Sequence, residues 1–181
     1  MGSDKAFLQL GETSLLAHAL RLAAQVCNSV KVVGQSEKFS GYAETISDIY
    51  TGHGPLGGIH AALRSSSTAL NLILAVDMPQ IAPDFLRYLV QQAFATDALV
   101  TVPCVNGRFQ PLCAVYRDSF AALAERSLAQ GRNKIDPLFA PEVTRIITRD
   151  EIERLAFPLS MFDNLNTREE LDRARTEAKQ R

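Results

Sequence analysis

Three features of the sequence predict an α/β fold of three layers, with helices on both faces of a mostly parallel sheet. Short aliphatic or β-branched runs alternate with amphipathic stretches along the whole chain. The run from Leu70 to Val76 is apolar on both of its faces, as strands in covered parallel sheets are. With 181 residues, 46% of them hydrophobic, the chain can bury about two-thirds of its unfolded surface in one core. No internal repeat, low-complexity tract or linker marks a second unit, so residues 1–181 are expected to form a single domain.

The elements follow in order. From Ser14 to Cys27 the apolar positions Leu15, Leu16, Ala19, Leu20, Ala23, Ala24 and Cys27 recur at helical spacing, with Thr13 or Ser14 available as N-cap. Val30 to Val33, stopped by Gly34, reads as a short strand. Residues 37–43 suit a helix, 44–46 an extended segment and 55–65 a second helix, after which comes the apolar strand 70–76 ending at Asp77. Pro83-Asp84 opens a helix carrying Leu86, Leu89, Val90 and Ala93, with proline in its first turn. Strands at 98–102 and 112–116, a helix from Asp118 to about Gln130, a strand at 143–148 and a terminal helix from Thr167 complete the alternation. Asn106-Gly107 also marks a turn between extended segments, which would place an antiparallel strand within the sheet.

The totals narrow the function. A net charge of -1 with 22% charged residues gives no footprint for a nucleic-acid or membrane partner, so any phosphate binding must be local. Three unpaired-looking cysteines, Cys27, Cys104 and Cys113, indicate neither a disulfide framework nor a zinc site, which points to a reducing cytoplasm. No apolar run approaches the roughly 18 residues that span a bilayer, and the first residues lack a signal-peptide core.

In open α/β sheets, ligands bind beyond the carboxyl ends of the strands. Asp77 stands where the 70–76 strand emerges, and Pro79 stops the strand from continuing; a carboxylate there suits Mg²⁺, and equally an ordinary Asp-x-Pro turn. Gly54-Pro55-Leu56-Gly57-Gly58 starts a helix, where free backbone N–H groups and close approach favour an anion or a nucleoside, or simply tight helix packing. Lys5 follows Asp4 ahead of an apolar stretch, and Asp48 is a loop carboxylate able to accept from a ribose or base. Asn164 and Asn166 precede the terminal helix, for which Asn166 or Thr167 is an N-cap and Glu169 and Glu170 favour the positive end of the dipole. His18, His53 and His60 are not at metal-ligand spacing, no serine occupies a nucleophile elbow, and a catalytic histidine is not expected.

Taken in order, Met1-Gly2-Ser3-Asp4-Lys5, Gly54-Pro55-Leu56-Gly57-Gly58, Asp77-Met78-Pro79 and Asn164-Leu165-Asn166-Thr167 resemble the successive motifs of the MobA-like molybdenum cofactor guanylyltransferases. Asn106-Gly107-Arg108, Gln110-Pro111-Leu112 and Tyr116 resemble the middle section of that family. The resemblance covers nearly the whole chain and rests on the order and spacing of the motifs together. It implies a Rossmann-like nucleotidyltransferase fold that, with Mg²⁺, joins GMP from GTP to molybdopterin and releases pyrophosphate. By the same resemblance Lys5 contacts the triphosphate, Asp48 the nucleoside and Asp77 the Mg²⁺. Gly54, Pro55, Leu56 and Gly57 border the nucleotide pocket, while Asn164 and Asn166 lie near the pterin phosphate and metal.

The family begins with a buried strand and a Leu-Ala-Gly-Gly type loop; this chain starts after them, at the Met-Gly of the following segment. The expectation is therefore a sheet lacking its usual first strand, with an apolar slot covered by a partner, by rearranged N-terminal residues or by self-association, or else a native start upstream of Met1. Molybdoenzyme-maturation proteins are further expected partners. A non-catalytic molybdopterin-binding or assembly protein, inactive because the glycine loop is missing and retaining the molybdopterin side without productive GTP binding, is one rival reading. A cytidylyltransferase using CTP and a sugar-phosphate nucleotidyltransferase are the others.

Overall fold

The computed structural model describes residues 5–165. The expected terminal helix, the capping role of Asn166 and the segment Met1 to Asp4 lie outside these residues. After a 3-10 turn at Lys5–Phe7, the chain forms a small hairpin of β1 (Gln9–Leu10) and β2 (Thr13–Ser14) and enters α1 (Leu15–Ala24). The Ser14 hydroxyl caps α1 by accepting from the Ala17 N–H at 3.2 Å. Next come β3 (Val32–Val33), α2 (Ser36–Phe39) and β4 (Thr45–Ile46). They are followed by α3 (Gly54–Arg64), β5 (Leu70–Leu74), α4 (Pro83–Phe94) and β6 (Val100–Val105). The chain closes with β7 (Arg108–Phe109), β8 (Cys113–Arg117), α5 (Phe120–Ala129), β9 (Thr144–Thr148) and α6 (Arg149–Arg154).

The three layers are read directly from strand alternation. On β8, Cys113 and Val115 face one core with Phe85, Leu86 and Leu89 of α4, Leu22 of α1 and Ile152 of α6. Ala114 and Tyr116 face the other, with Leu56, Ile59 and Leu63 of α3 and Phe120, Ala124 and Leu128 of α5. Tyr116 is fully buried; its hydroxyl donates to the Pro111 carbonyl at 2.8 Å and its ring lies 5.0 Å from that of Phe120.

The sheet is mixed rather than mostly parallel. Its order is β5-β8-β6-β7, with β9 parallel to β6, and β8 runs antiparallel to both β5 and β6. The cause is the turn at Asn106-Gly107, where both residues have positive φ (52° and 72°), as the tight hairpin turn requires. It reverses the chain, and β8 then returns between β5 and β6. β5 is covered on both faces as its composition predicts, Leu70, Leu72 and Leu74 against one core and Ile73 against the other. Its neighbour is antiparallel, however, and its second edge pairs with no strand among the described residues. β3 and β4 form a separate two-stranded parallel sheet, in register Val32↔Thr45 and Val33↔Ile46. The predicted strand 30–33 shrinks to two residues because Thr45–Ile46 offers a ladder no longer than that. No helix among the described residues is long and apolar enough to cross a membrane.

Between α4 and α6 a surface depression is lined by Tyr88, Arg145, Glu151, Arg154 and Leu155. Its polar groups serve one another. Arg145 donates to both carboxylate oxygens of Glu151, at 2.5 and 3.1 Å, to Gln92 at 2.9 Å and to the Ile146 carbonyl. The Tyr88 hydroxyl donates to the same carboxylate. Burial alone would raise the pKa of Glu151, but the bonds from Arg145 and Tyr88 outweigh it and hold the carboxyl below its ordinary range. Burial, reinforced by the Glu151 carboxylate, pushes the Tyr88 phenol up to about 12. With the Glu151 carboxyl lowered in the fold, the stability it contributes is present above its unfolded value and is lost as pH falls through the folded one. Arg145→Met, which strands Glu151, should lower unfolding free energy at pH 7 by about 2 kcal/mol in urea titrations. In Glu151→Gln the part of the stability loss that sets in below pH 4.5 should be missing.

Candidate functional site

β5, β6 and β9 run in the same direction, so their carboxyl ends lie on one side of the sheet. Asp77 is there, three residues past β5, half-buried in a turn whose next residue, Met78, is buried. The backbone of this turn is held from several parts of the chain. The Leu165 N–H donates to the Asp77 carbonyl at 2.9 Å, the Ile81 N–H to the Met78 carbonyl at 3.4 Å, and Nε2 of His18 lies 3.0 Å from the Pro79 carbonyl. Leu165 is buried and packs with Leu15, Leu8 and Leu10. That small cluster draws the segment after Lys5, the start of α1 and the residue after Asn164 to the same place. Asn164 itself is exposed beside the turn, and Lys5 is exposed at the start of the 3-10 turn.

A second group forms at the start of α3. Asp48 is exposed in the loop after β4, and its Oδ1 would stand 3.8 Å from a Cβ placed on Gly58. Gly54 begins α3 with φ of +61°, a left-handed conformation that glycine adopts without strain, and Pro55 follows in the first turn. His53, at the N-cap position, offers no capping hydrogen bond, which leaves the first-turn N–H groups without a side-chain acceptor. Gly57 is the sterically demanding position: a Cβ there would lie 2.8 Å from the Tyr50 backbone oxygen. Glycine therefore allows the turn at 50–53 to press against the helix start. Phe7, two residues beyond Lys5, sets its ring against the α2 segment, 5.7 Å from Phe39 and 5.8 Å from Tyr42. Its chain neighbour Leu8 packs toward Leu15 and Leu165.

Mg²⁺ ordinarily takes one or two protein carboxylates and completes its shell with phosphate and water. Among the described residues no three of His, Cys, Asp and Glu gather into a ready-made metal cage. The hard oxygen donors at the Asp77 turn, one carboxylate with an asparagine alongside, fit a cation that arrives with a nucleotide. Asn166 lies outside the described residues.

The sequence did not reveal the positions of four side chains. His18 reads as one polar residue on an amphipathic helix, yet it reaches the Asp77 turn. Phe7 and Phe39 meet across a chain separation that no local pattern marks. His60 is 1% exposed, with neither ring nitrogen hydrogen-bonded and its ring edge-on to Tyr50 at 5.3 Å. Burial lowers its pKa, aided by Arg64 and opposed by Glu125. Nothing in the residue spacing distinguishes a buried histidine from an exposed one.

Residues 1–142 match the family model described as the MobA-like NTP transferase domain. A probable molybdenum cofactor guanylyltransferase of Pelotomaculum thermopropionicum is 32% identical, over 98% of this chain and 87% of its own. A molybdenum cofactor guanylyltransferase of Syntrophotalea carbinolica is 30% identical, over 97% and 84%. The crystal structure of molybdopterin-guanine dinucleotide biosynthesis protein A from Archaeoglobus fulgidus superimposes with a TM-score of 0.83 at 28% identity, over 99% of this chain and 93% of that one. A 2-C-methyl-D-erythritol 4-phosphate cytidylyltransferase from Thermus thermophilus shares the fold, with a TM-score of 0.67 at 16% identity over 97% and 94%.

Two outcomes are expected from the helix start. Gly57→Ala should destabilise the protein by about 2 kcal/mol in chemical denaturation, because the Tyr50 carbonyl or the helix must move, whereas Gly58→Ala, at ordinary contact distances, should cost less than about 1 kcal/mol. Because the folded pKa of His60 is lowered, the unfolded chain binds more protons and stability falls as pH drops below 6.5. His60→Leu should remove that part of the pH profile in thermal melts between pH 5 and 7.5.

Proposed function

The chain belongs to the MobA-like NTP transferase family, a family of nucleotidyltransferases, and on that premise we propose that it transfers GMP from GTP to molybdopterin. The products are molybdopterin guanine dinucleotide and pyrophosphate. The observation that carries the reading is the convergence on the Asp77 turn. The Leu165 amide on the Asp77 carbonyl and the packing of Leu8, Leu10, Leu15 and Leu165 bring Lys5, Asp77 and Asn164 to one side of the sheet. A phosphoryl-transfer site needs a cation, a carboxylate for the metal and polar groups for the second substrate on that side.

In this reaction a phosphate oxygen of molybdopterin attacks the α-phosphorus of GTP, the new P–O bond forms, and the bond to the β-phosphate breaks to release pyrophosphate. Such chemistry depends on positioning and on neutralising charge, with no covalent enzyme intermediate. Asp77 would hold Mg²⁺, which would supply charge neutralisation to the phosphates. Lys5 stabilises the triphosphate and the departing pyrophosphate. The backbone N–H groups of Gly54 and Leu56, in the uncapped first turn of α3, face the nucleotide, and Pro55 and Gly57 shape its border. Asp48 accepts from the nucleoside: guanine presents N1–H and the 2-amino group to one carboxylate, where cytosine presents only its 4-amino group. Asn164, and Asn166 beyond it, hold the pterin phosphate. Molybdoenzyme-maturation proteins are the natural recipients of the product.

The test is a pyrophosphate-release assay with GTP, Mg²⁺ and molybdopterin, with CTP and with a hexose phosphate as competing substrates. Asp77→Asn should lower kcat by about 10²–10³-fold, and Asp48→Asn should raise KM for GTP at least about 10-fold. Preference for CTP would replace the guanylyl reading with a cytidylyl one. Tight molybdopterin binding without release of pyrophosphate from either nucleotide would make the protein a binding or assembly factor, and turnover with the hexose phosphate a sugar nucleotidyltransferase.

A further inference from the structure

We infer that His18 is a positioning residue for the Asp77 turn, an assignment that rests on the reading of Asp77 as the metal-holding carboxylate. His18 sits in the first turns of α1, half-buried, with Nε2 3.0 Å from the carbonyl oxygen of Pro79, 61 residues away in the chain. A proline carbonyl can only accept, so Nε2 carries the proton and donates.

The helix alone gives no reason for an imidazole at this position. Its neighbours three residues before and four after, Leu15 and Leu22, are both buried in apolar clusters, so a leucine would continue the stripe. A half-buried polar ring there costs free energy unless it is hydrogen-bonded, and the bond it makes goes to the residue two beyond Asp77.

Two other carbonyls of the turn are held by backbone amides, Asp77 by Leu165 and Met78 by Ile81. The Pro79 carbonyl is held by this side chain. Proline lacks an N–H, so residue 79 cannot anchor the turn by donating a backbone bond of its own. His18 thus ties α1 to the far side of the turn, opposite the Leu165 bond, and sets where the carboxylate of Asp77 stands. A displacement of about 1 Å at such a group is enough to cost roughly 10²-fold in rate.

The experiment compares His18→Gln, whose amide nitrogen places a donor near the position of Nε2, with His18→Leu, which fills the same stripe without a donor. Amide hydrogen exchange on the metal-free protein is the first readout. His18→Leu should speed exchange at residues 76–81 and at Leu165 about 10-fold or more, leave α3 and α5 unchanged, and be reversed by His18→Gln. The second readout is the Mg²⁺ concentration that half-saturates transfer, which should rise in His18→Leu with KM for GTP within about twofold, and recover in His18→Gln. If His18→Leu does not fold, His18→Asn, too short to reach the carbonyl, takes its place. Wild-type exchange at 76–81 in the donor-less variant would overturn the assignment, as would equal behaviour of the leucine and glutamine variants. Absence of guanylyl transfer in every form, with the exchange pattern as expected, would instead count against the function and leave the role of His18 in the turn standing.

Discussion

The hydrogen bond from the Leu165 amide to the Asp77 carbonyl is the constraint on which the site depends. It joins residue 165 to the turn at the end of β5, and through the apolar contacts of Leu165 it also draws in α1 and the segment that follows Lys5. Two stretches far apart in the chain, residues 8–15 and Leu165, therefore share one small cluster of leucines, which the Leu165 amide ties to the turn. An exposed carboxylate on a free loop would sample many positions; here the backbone that carries it is fastened on both sides, by an amide at Asp77 and an imidazole at Pro79. Preorganised charge of this kind does its work without reorganising during the reaction.

Much of the architecture was legible because it is periodic. The alternation of Cys113, Ala114, Val115 and Tyr116 between two cores, and the stripes of α3 and α4, follow from side-chain direction alone. The direction of pairing did not follow. A five-residue apolar strand looks the same whether its neighbour is parallel or antiparallel, and the reversal that places β8 beside β5 was visible only in part, as the Asn106-Gly107 turn. The hairpin of β1 and β2 and the helix α6 escaped for a related reason: two-residue strands and a six-residue helix carry too few positions to show a period.

The candidate site divides along the same line. Asp77 and the glycines at 54–58 announce themselves by residue type at a strand end and a helix start, where position already restricts what the residues can do. His18, Phe7 and Phe39 do not, because each matters for what it meets rather than for where it stands in its own element. A donor to a carbonyl 61 residues away, or a ring stacked across two segments, has no local signature. His60 is the converse case, conspicuous in the fold for its burial and its unsatisfied nitrogens and silent in the sequence.

The two halves of the site also differ in how firmly they are built. The Asp77 turn grows from β5, which is laddered to β8 over five residues, and β8 lies beside the central strand β6. Asp48 follows β4, which shares a two-residue ladder with β3 in a separate sheet whose four strand residues are all only half-buried. Segments with short ladders and little buried apolar surface open at lower free energy than core strands do. A nucleotide held by Asp48 at its base and by the Asp77 turn at its phosphates would span both sheets. Part of its binding energy would then go into ordering the β3 and β4 unit against α3, where Gly58 already packs on Val33. Such a division would suit nucleotidyl transfer: the reacting phosphates would meet groups that are already in place while the nucleoside end adapts, and discrimination between bases would then fall where the chain is least constrained.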